Sequence, residues 1–325
     1  MKILIAGGAG YIGSALVPRL VDRGYEVDVV DMLWFGNNLP VAIKIVKKNV
    51  FDLQPNDVVG YDQVIFLAGL SNDPMAEFSP SMNFVYNASA PAYLAYIAKV
   101  SGVKRFIYAG SCSVYGYTVN ELYNEQAPAI SKHPYGISKL QGEKAVVQLA
   151  EKGFSTVCFR QGTVSGYSPR MRLDLIVNTM FKSAMETGTI TVNNPSIWRP
   201  ILSIDDACSA YIRAVEASEE IGGVFNIASG NYTVGETADI VRAVVERRLK
   251  KDIRLVIKHI QDFRNYKVST EHAVNVLSFK PTHDAESIVE NLIDNMARFS
   301  DFENPNYYNI KIFRQLQEQF VKVAQ

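Results

Sequence analysis

The sequence predicts an α/β protein built on a doubly wound parallel sheet, with a smaller α/β part following in the chain. Three observations carry that expectation. Short apolar runs alternate with amphipathic stretches over the first half of the chain. The first run ends in a glycine cluster that opens a helical pattern. After about Gly166 the rhythm changes, and helices predominate between short strands. Parallel neighbours need crossover connections, so strands alternating with helices imply a sheet covered on both faces.

Taken in order, Lys2–Ala6 reads as the first strand, and Tyr11–Arg23 as a helix with Ile12, Leu16 and Leu20 on one face. Glu26–Asp31, Ala42–Lys47 and Gln63–Leu67 read as strands two to four. Ala88–Ser101 reads as a helix ending near Gly102, Arg105–Gly110 as a strand, Tyr135–Lys152 as a helix closing at Gly153, and Ser155–Arg160 as a strand. Beyond this, Leu173–Thr187 and Ile204–Glu216 read as helices, with short strands at Ile190–Val192 and Val224–Ile227. Thr233-Val-Gly-Glu236 has capping-box spacing and should start a helix running to about Arg247. Asp252–Ile257 is a strand candidate and Asp284–Phe299 a helix. A loose boundary near residue 165 divides residues 1–165 from 166–325, with segments free to interleave and no long linker between them. The tail after Ser300 is polar and aromatic, and no role can be read from it.

Composition narrows the function. The 325 residues carry 33 Lys+Arg against 33 Asp+Glu, with 48% hydrophobic and 20% charged residues. A zero net charge argues against a dedicated nucleic-acid binder or a polybasic membrane protein. No apolar run approaches the roughly 18 residues of a membrane span, and Ile3–Ala6 is too short for a signal peptide. Cys112, Cys158 and Cys208 are odd in number and widely spaced, fitting neither a disulfide framework nor a metal site. The expectation is a cytoplasmic protein without metal, nucleic-acid or membrane partners.

Gly7-Gly8-Ala9-Gly10-Tyr11-Ile12-Gly13 follows a strand and opens a helix. It meets G-x-G-x-x-G through Gly8, Gly10 and Gly13, and G-x-x-G-x-x-G through Gly7, Gly10 and Gly13. Missing side chains allow the tight turn and let a pyrophosphate reach the backbone, where helix N–H groups meet its charge. This strand–turn–helix context makes the first part a Rossmann-type dinucleotide-binding unit. Asp31 ends the second strand, where a carboxylate bonds the adenine ribose 2′-OH and repels a 2′-phosphate. Met32-Leu33-Trp34-Phe35 follows without Arg or Lys, so NAD is expected over NADP.

Tyr135-Gly136-Ile137-Ser138-Lys139 is Y-x-x-x-K, which puts both side chains on one helix face. A phenol normally titrates near pH 10. A neighbouring ammonium and a positive nicotinamide ring would favour phenolate, making Tyr135 a base for a sugar hydroxyl as hydride leaves its carbon. Ser111 and Ser113, in Ser111-Cys112-Ser113-Val114-Tyr115-Gly116, leave the Arg105–Gly110 strand at its carboxyl end, where open α/β sheets bind ligands.

The chain resembles an extended short-chain dehydrogenase/reductase of the NAD-dependent nucleotide-sugar epimerase/dehydratase family. The matching pieces are GGAGYIG, VIFLAGLSNDP, SCSVYG, HPYGISK and WRPILSIDDACSAYIRA, spanning most of the chain to about residue 300. The resemblance implies a catalytic set of Ser111, Tyr135 and Lys139. It implies an NAD site of Gly7, Gly10, Tyr11, Ile12, Gly13 and Asp31, with Asn49 or Val50 at adenine, Leu67, Ala68 and Gly69 as a backbone wall, and Asn87 beside them. Arg199 resembles the arginine that meets the substrate diphosphate, and Asp262 an aspartate near the nucleotide ribose. It also implies a homodimer through the helices at Ala88–Ser101 and Tyr135–Lys152.

The departures shape the functional expectation. Dehydratases of this family usually carry Asp-Glu after the catalytic Ser/Thr, where Cys112-Ser113 stands here. Thr163 replaces the usual Asn in RQGTVSG, and His259 the diphosphate arginine, which Arg264 in DFRNY would supply from a shifted position. Arg170 and Arg172 in SPRMRLD are further anion-binding candidates, and Asn178 is placed toward the sugar. Cys112 is read as a small buried residue, His133 as a helix-entry residue, and one of Asp205 and Asp206 as a helix cap. The leading expectation is a nucleotide-sugar epimerase that binds a nucleotide-diphosphate sugar and works through a transient 4-keto sugar. The alternative is a nucleotide-sugar 4-dehydrogenase or keto-sugar reductase. The intact Ser111, Tyr135 and Lys139 set argues against a non-catalytic NAD-binding sensor.

Overall fold

The computed structural model describes residues 1–260 and 264–323. Among them, seven strands form the central sheet, in the order Gly223–Ile227, Ser155–Gln161, Arg105–Ala109, Gln63–Phe66, Lys2–Ala6, Glu26–Asp31 and Lys44–Lys47. Every neighbouring pair in it is parallel. The inner strands are buried almost end to end, as a sheet covered on both faces requires, while the edge strand Lys44–Lys47 is mostly exposed. Successive side chains point to opposite faces. Ile3 and Ile5 join one core with Leu16 and Leu20 of the helix Tyr11–Asp22, while Leu4 and Ala6 join the other with Leu94 and Ile97 of the helix Ala90–Val100.

The strand order reverses at Lys2–Ala6, which pairs with Glu26–Asp31 on one side and Gln63–Phe66 on the other. Ligand-binding crevices open at the carboxyl ends of strands at such a switch point. Gly223–Ile227 lies well past residue 165 yet closes this sheet against Ser155–Gln161, so the later chain returns to the first unit. Arg105 is fully buried at the other end of its strand, where it donates to the carbonyls of Ala214 at 2.6 Å, Ala217 at 2.8 Å and Ile221 at 3.0 Å. It thereby satisfies the end of the helix Ile204–Glu216 and ties it to the sheet.

The remaining strands make small sheets over the carboxyl ends. Trp198–Ser203 pairs with Thr163–Ser165 and Gly230–Thr233; Thr189–Asn193 pairs with Arg254–Lys258; Tyr117–Tyr123 pairs with Asn265–Val268. The capping box at Thr233 is present, with Thr233 and Glu236 bonding each other's backbone, and its helix runs Val234–Leu249.

Several elements differ from expectation for local reasons. The helix expected from Ala88 is preceded by helices Asp73–Phe78 and Pro80–Phe84 and a π-helical turn Val85–Ser89. Pro74, Pro80 and Pro91 each sit in a first turn, where a missing N–H costs nothing. The helix expected at Leu173 starts at Ile176, because Leu173 N–H donates outside it to Tyr307 O at 2.9 Å. The helix from Tyr135 spans Pro134–Val147, and the one from Asp284 spans Ala285–Asp294. Glu271–Leu277 and Asn309–Val323 are helices without a sequence expectation.

Candidate active site

A cavity of about 580 Å³ lies where the carboxyl ends of the central strands meet the small sheets. A smaller one, about 110 Å³, continues from it along the loop after Glu26–Asp31. Gly7, Gly10, Phe35, Leu67, Ala68 and Gly69 line both, so one wall runs continuously through the two.

The glycine turn is built for close approach. Gly7 has φ +80°, and a Cβ there would lie 2.4 Å from the backbone nitrogen of Ala68. Only a residue without a side chain fits between these two chain segments. Gly69 is confined in the same way, because a Cβ would lie 2.5 Å from Asn87 Oδ1. Asn87 is fully buried in the π-helical turn, a motif that often marks functional sites. Its Oδ1 accepts from Leu70 N–H at 3.0 Å, and its Nδ2 donates to Leu70 O at 2.8 Å. Asn87 therefore holds the wall from behind and does not face the cavity. Gly13 also lies behind the turn, packed against Gly8 so closely that a Cβ would sit 2.3 Å from its carbonyl oxygen.

Asp31 lines the smaller cavity with Asn49 and Val50. Its carboxylate accepts from Ala9 N–H at 3.0 Å and Leu33 N–H at 2.8 Å, tying the second strand to the glycine turn. Burial pushes its pKa up against the pull of those two bonds. Asn49 caps the turn Val50–Asp52 and donates to Tyr86 Oη at 3.0 Å. Lys48 also lines this cavity and pairs with Asp57 at 2.9 Å.

Ser111, Tyr135 and Lys139 converge on the larger cavity beside Gly7, Gly10, Tyr11 and Ile12. Ser111 leaves the strand Arg105–Ala109, and its Oγ accepts from Ser113 N–H at 3.1 Å. Burial pushes Tyr135 up to about 12; a hydrogen bond with Ser111 pulls it down, Asp73 pushes it up, and Arg172 pulls it down. Burial pulls Lys139 down to about 7. Its Nζ donates to Ala109 O at 2.9 Å and lies 5.2 Å from the ring centre of Tyr108. Ser111 and Arg172 pull Tyr135 down against its burial.

Ser113, Thr163, Arg172, Arg199 and Arg264 also line the cavity. Arg172 forks onto Asp174 at 2.8 and 3.1 Å and reaches Ser71 Oγ at 2.6 Å. Arg264 pairs with Asp73, and Arg199 donates to the carbonyl of Arg264. Asn178 does not line the cavity, which corrects its placement toward the sugar. It is fully buried, accepts from Gly166 N–H at 3.0 Å, and donates to Arg172 O at 2.7 Å and Tyr11 Oη at 3.1 Å. Its neighbours Ile176, Thr179 and Met180 face the cavity instead. Asp262 lies outside the described residues.

Sequence reasoning missed five lining residues of consequence: Ser71, Asp73, Asp174, Tyr266 and Asn309. Asp73 and Asp174 could have been flagged as carboxylates near quoted motifs, but Tyr266 and Asn309 carry no local signal. Tyr266 is buried, with its hydroxyl 3.2 Å from Ser113 Oγ. Away from the cavity, Ser203 caps the helix Ile204–Glu216, while Asp206 receives Ser229 Oγ at 2.6 Å and Thr282 N–H at 3.0 Å. Asp206 thus holds two loops together, and Asp205 pairs with Arg19. His133 is the N-cap residue of Pro134–Val147 and makes no side-chain cap bond.

Among the described residues, no group of His, Cys, Asp and Glu could hold a metal ion, and no helix is long and apolar enough to cross a membrane. The cradle at Gly7 and Gly10, the carboxylate of Asp31 and the wall Leu67–Gly69 together fit a dinucleotide.

Known proteins resemble the chain over most of its length. A UDP-glucose 4-epimerase of Corynebacterium glutamicum is 24% identical over 317 residues, covering 89% of this chain and 94% of its own. The solved structure of MoeE5 in complex with UDP-glucuronic acid and NAD superposes with a TM-score of 0.81 at 21% identity, over 92% of this chain and 99% of that one. TunA, an NAD-dependent NDP-hexosamine 5,6-dehydratase of tunicamycin biosynthesis, superposes with a TM-score of 0.80 at 22% identity, over 90% of this chain and 96% of that one. The sequence profile of the NAD dependent epimerase/dehydratase family matches residues 3–228, and the chain belongs to that family.

Proposed function

We propose that this protein is an NAD-dependent nucleotide-sugar 4-epimerase. The observation that carries the reading is the state of the acids around the cavity. Among the described residues two carboxylates line it, Asp73 and Asp174, and each is paired with an arginine, Arg264 and Arg172 respectively. The position after Ser111 holds Cys112, whose buried thiol donates to Arg160 O at 3.1 Å. Burial pushes that thiol's pKa far up. Among the described residues the cavity therefore offers a tyrosine for moving a hydroxyl proton and no unpaired acid for expelling water. The curated relatives named UDP-glucose 4-epimerase support the same choice.

When bound, NAD supplies the hydride acceptor and donor at the sugar carbon. The chain's own residues do the rest. Tyr135 Oη takes the proton of the sugar 4-hydroxyl and later returns it. Ser111 Oγ, oriented by the N–H of Ser113, holds the reacting oxygen. Arg199 and Arg264 face the substrate diphosphate, while Thr163 and Tyr266 border the sugar. After oxidation the 4-keto sugar must present its other face, and the enzyme's part is to hold the nucleotide end while the sugar turns.

The test is purified protein with a panel of UDP-, GDP-, CDP- and dTDP-sugars, read by product mass, NMR and NADH absorbance. A new product of unchanged mass without net NADH supports the epimerase. Loss of two hydrogens with accumulating NADH moves the reading to the 4-dehydrogenase, and loss of water moves it to a dehydratase. Tyr135→Phe should keep NAD and lose conversion by about 10²–10⁴-fold. Near-native turnover in that variant would remove Tyr135 as the base.

A further inference from the structure

The later chain sends one arginine back to the glycine turn. Ser168 Oγ donates to Tyr11 O at 2.6 Å, and Arg170 N–H donates to Ser14 Oγ at 3.1 Å. These bonds stitch residues 168–170 onto the first turn of Tyr11–Asp22, a turn without an acidic residue. From there the Arg170 guanidinium lies 3.8 Å from the ring centre of Phe35 and lines the cavity beside Gly7, Gly10 and Tyr11. Arg170 is only 3% exposed.

Its partners do not satisfy it. One nitrogen donates to Asn309 Oδ1 at 2.5 Å. Among the described residues, the buried Nε has no hydrogen-bond partner, and no carboxylate forms an ion pair with Arg170. Burial first, and then the like charge of Arg172, pull its pKa down to about 9, against the opposing charges of Asp174 and Asp31. A buried guanidinium with an unmatched donor is costly in a protein interior, and an anion reaching both would remove the cost. The glycine turn and helix N-terminus beside it are shaped for a diphosphate.

Asn309 fixes where the guanidinium points. It is 7% exposed; its Nδ2 donates to Ser71 Oγ at 3.0 Å, and its N–H donates to Asp174 at 3.3 Å. One turn on in the helix Asn309–Val323, Phe313 packs edge-on against Trp34 at 5.0 Å and meets Phe35 at 6.5 Å. The C-terminal segment thus holds Arg170 from one side and the loop bearing Phe35 from the other.

We propose that Arg170 is a cofactor-binding residue that closes on the dinucleotide diphosphate at the glycine turn, and that Asn309 of the C-terminal helix is its positioning residue. The proposal rests on NAD at the glycine turn and not on the sugar reaction. The experiment is calorimetric titration of NAD, ADP-ribose and adenosine into full-length wild type, Arg170→Gln, Arg170→Lys and Asn309→Ala, with UDP as a control. Arg170→Gln should weaken NAD and ADP-ribose by at least about tenfold, the worth of a charge-assisted contact. It should leave adenosine and UDP within about twofold, because neither probes this diphosphate. Asn309→Ala should lose part of the same affinity, and raised salt should weaken NAD less in Arg170→Gln than in wild type. Unchanged NAD affinity in folded Arg170→Gln overturns the proposal, as does weakened UDP binding with NAD unaffected. If Arg170→Gln fails to fold, Arg170→Lys and Asn309→Ala decide: NAD affinity at the wild-type level in both overturns it.

Discussion

Replacing Lys139 with methionine should give a stability difference from wild type that changes sign with pH. The ammonium is 5% exposed, and burial pulls its pKa from 10.5 to about 7. Each tenfold change in proton affinity is worth about 1.36 kcal/mol, so that fall from 10.5 to about 7 corresponds to about 5 kcal/mol. The folded state holds this proton more weakly than the unfolded chain. The penalty is therefore complete below pH 7 and fades as the pH rises toward 10.5. Methionine fills a similar space without the charge. It also leaves Ala109 O without the bond Lys139 gives it, at a cost of about 1–3 kcal/mol. In protein stripped of NAD, Lys139→Met should thus be about 2–4 kcal/mol more stable than wild type at pH 6.5. Above pH 10 it should be less stable, by about 1–3 kcal/mol. Urea unfolding of both proteins in steps from pH 6.5 to 10.5 reads the difference directly, and groups common to both cancel. A difference that stays constant within about 1 kcal/mol across that range refutes the reasoning. Catalysis would be lost in the variant at every pH, so the lysine would be a stability cost retained for function.

Other expectations are more direct. Asp73→Asn should move the acidic limb of the kcat–pH profile to lower pH, because the Asp73 charge helps push Tyr135 up and its removal lets the phenol ionise earlier. An upward or absent shift would show that Asp73 does not act on Tyr135. All three cysteines are buried, so a thiol reagent should label none in the native protein and three after unfolding. Rapid labelling of Cys112 in the folded state would contradict its packing. Homodimerisation through the helices Ala90–Val100 and Pro134–Val147 should appear in light scattering at micromolar concentration, and Tyr96→Glu on the exposed face of the first should shift the mass to monomer. A monomer in the wild type would remove the dimer.

The legible part of the site is the part made of short-range pattern. The glycine turn, the strand-end Asp31 and the i,i+4 pair Tyr135 and Lys139 each lie within one or two elements, where spacing fixes geometry. The illegible part is made by contacts across the chain. Asp73 meets Arg264 from 191 residues away, and Asn309 meets Ser71 from 238. The strands Tyr117–Tyr123 and Asn265–Val268 pair only with each other in their sheet, so neither carries the long buried run that marks the central strands. Asn178 shows the limit at a single position. A polar residue on an amphipathic helix suggests a cavity-facing group, yet the register turns Thr179 to the cavity and Asn178 inward to the Gly166 backbone. No periodicity separates those two, because adjacent helical positions lie only about 100° apart.

The electrostatics of the cavity are governed first by burial. Arg172 pairs with Asp174 and Arg264 with Asp73, yet Asp73 still pushes Tyr135 up and Arg172 still pulls it down. Burial then governs both groups and drives both toward their uncharged forms: Tyr135 to about 12 and Lys139 to about 7. At neutral pH a phenol of that affinity keeps its proton, and an amine of that affinity is only part ammonium. In the proposed reaction, burial would keep Tyr135 protonated at rest, and a positive charge entering the cavity would favour its phenolate. Arg172, already pulling Tyr135 down, shows the sign of that response. A cation at the nicotinamide position would extend it, and Ser111 would hold the phenol oriented meanwhile. In the proposed reaction, loading of the site would therefore precede proton transfer at Tyr135.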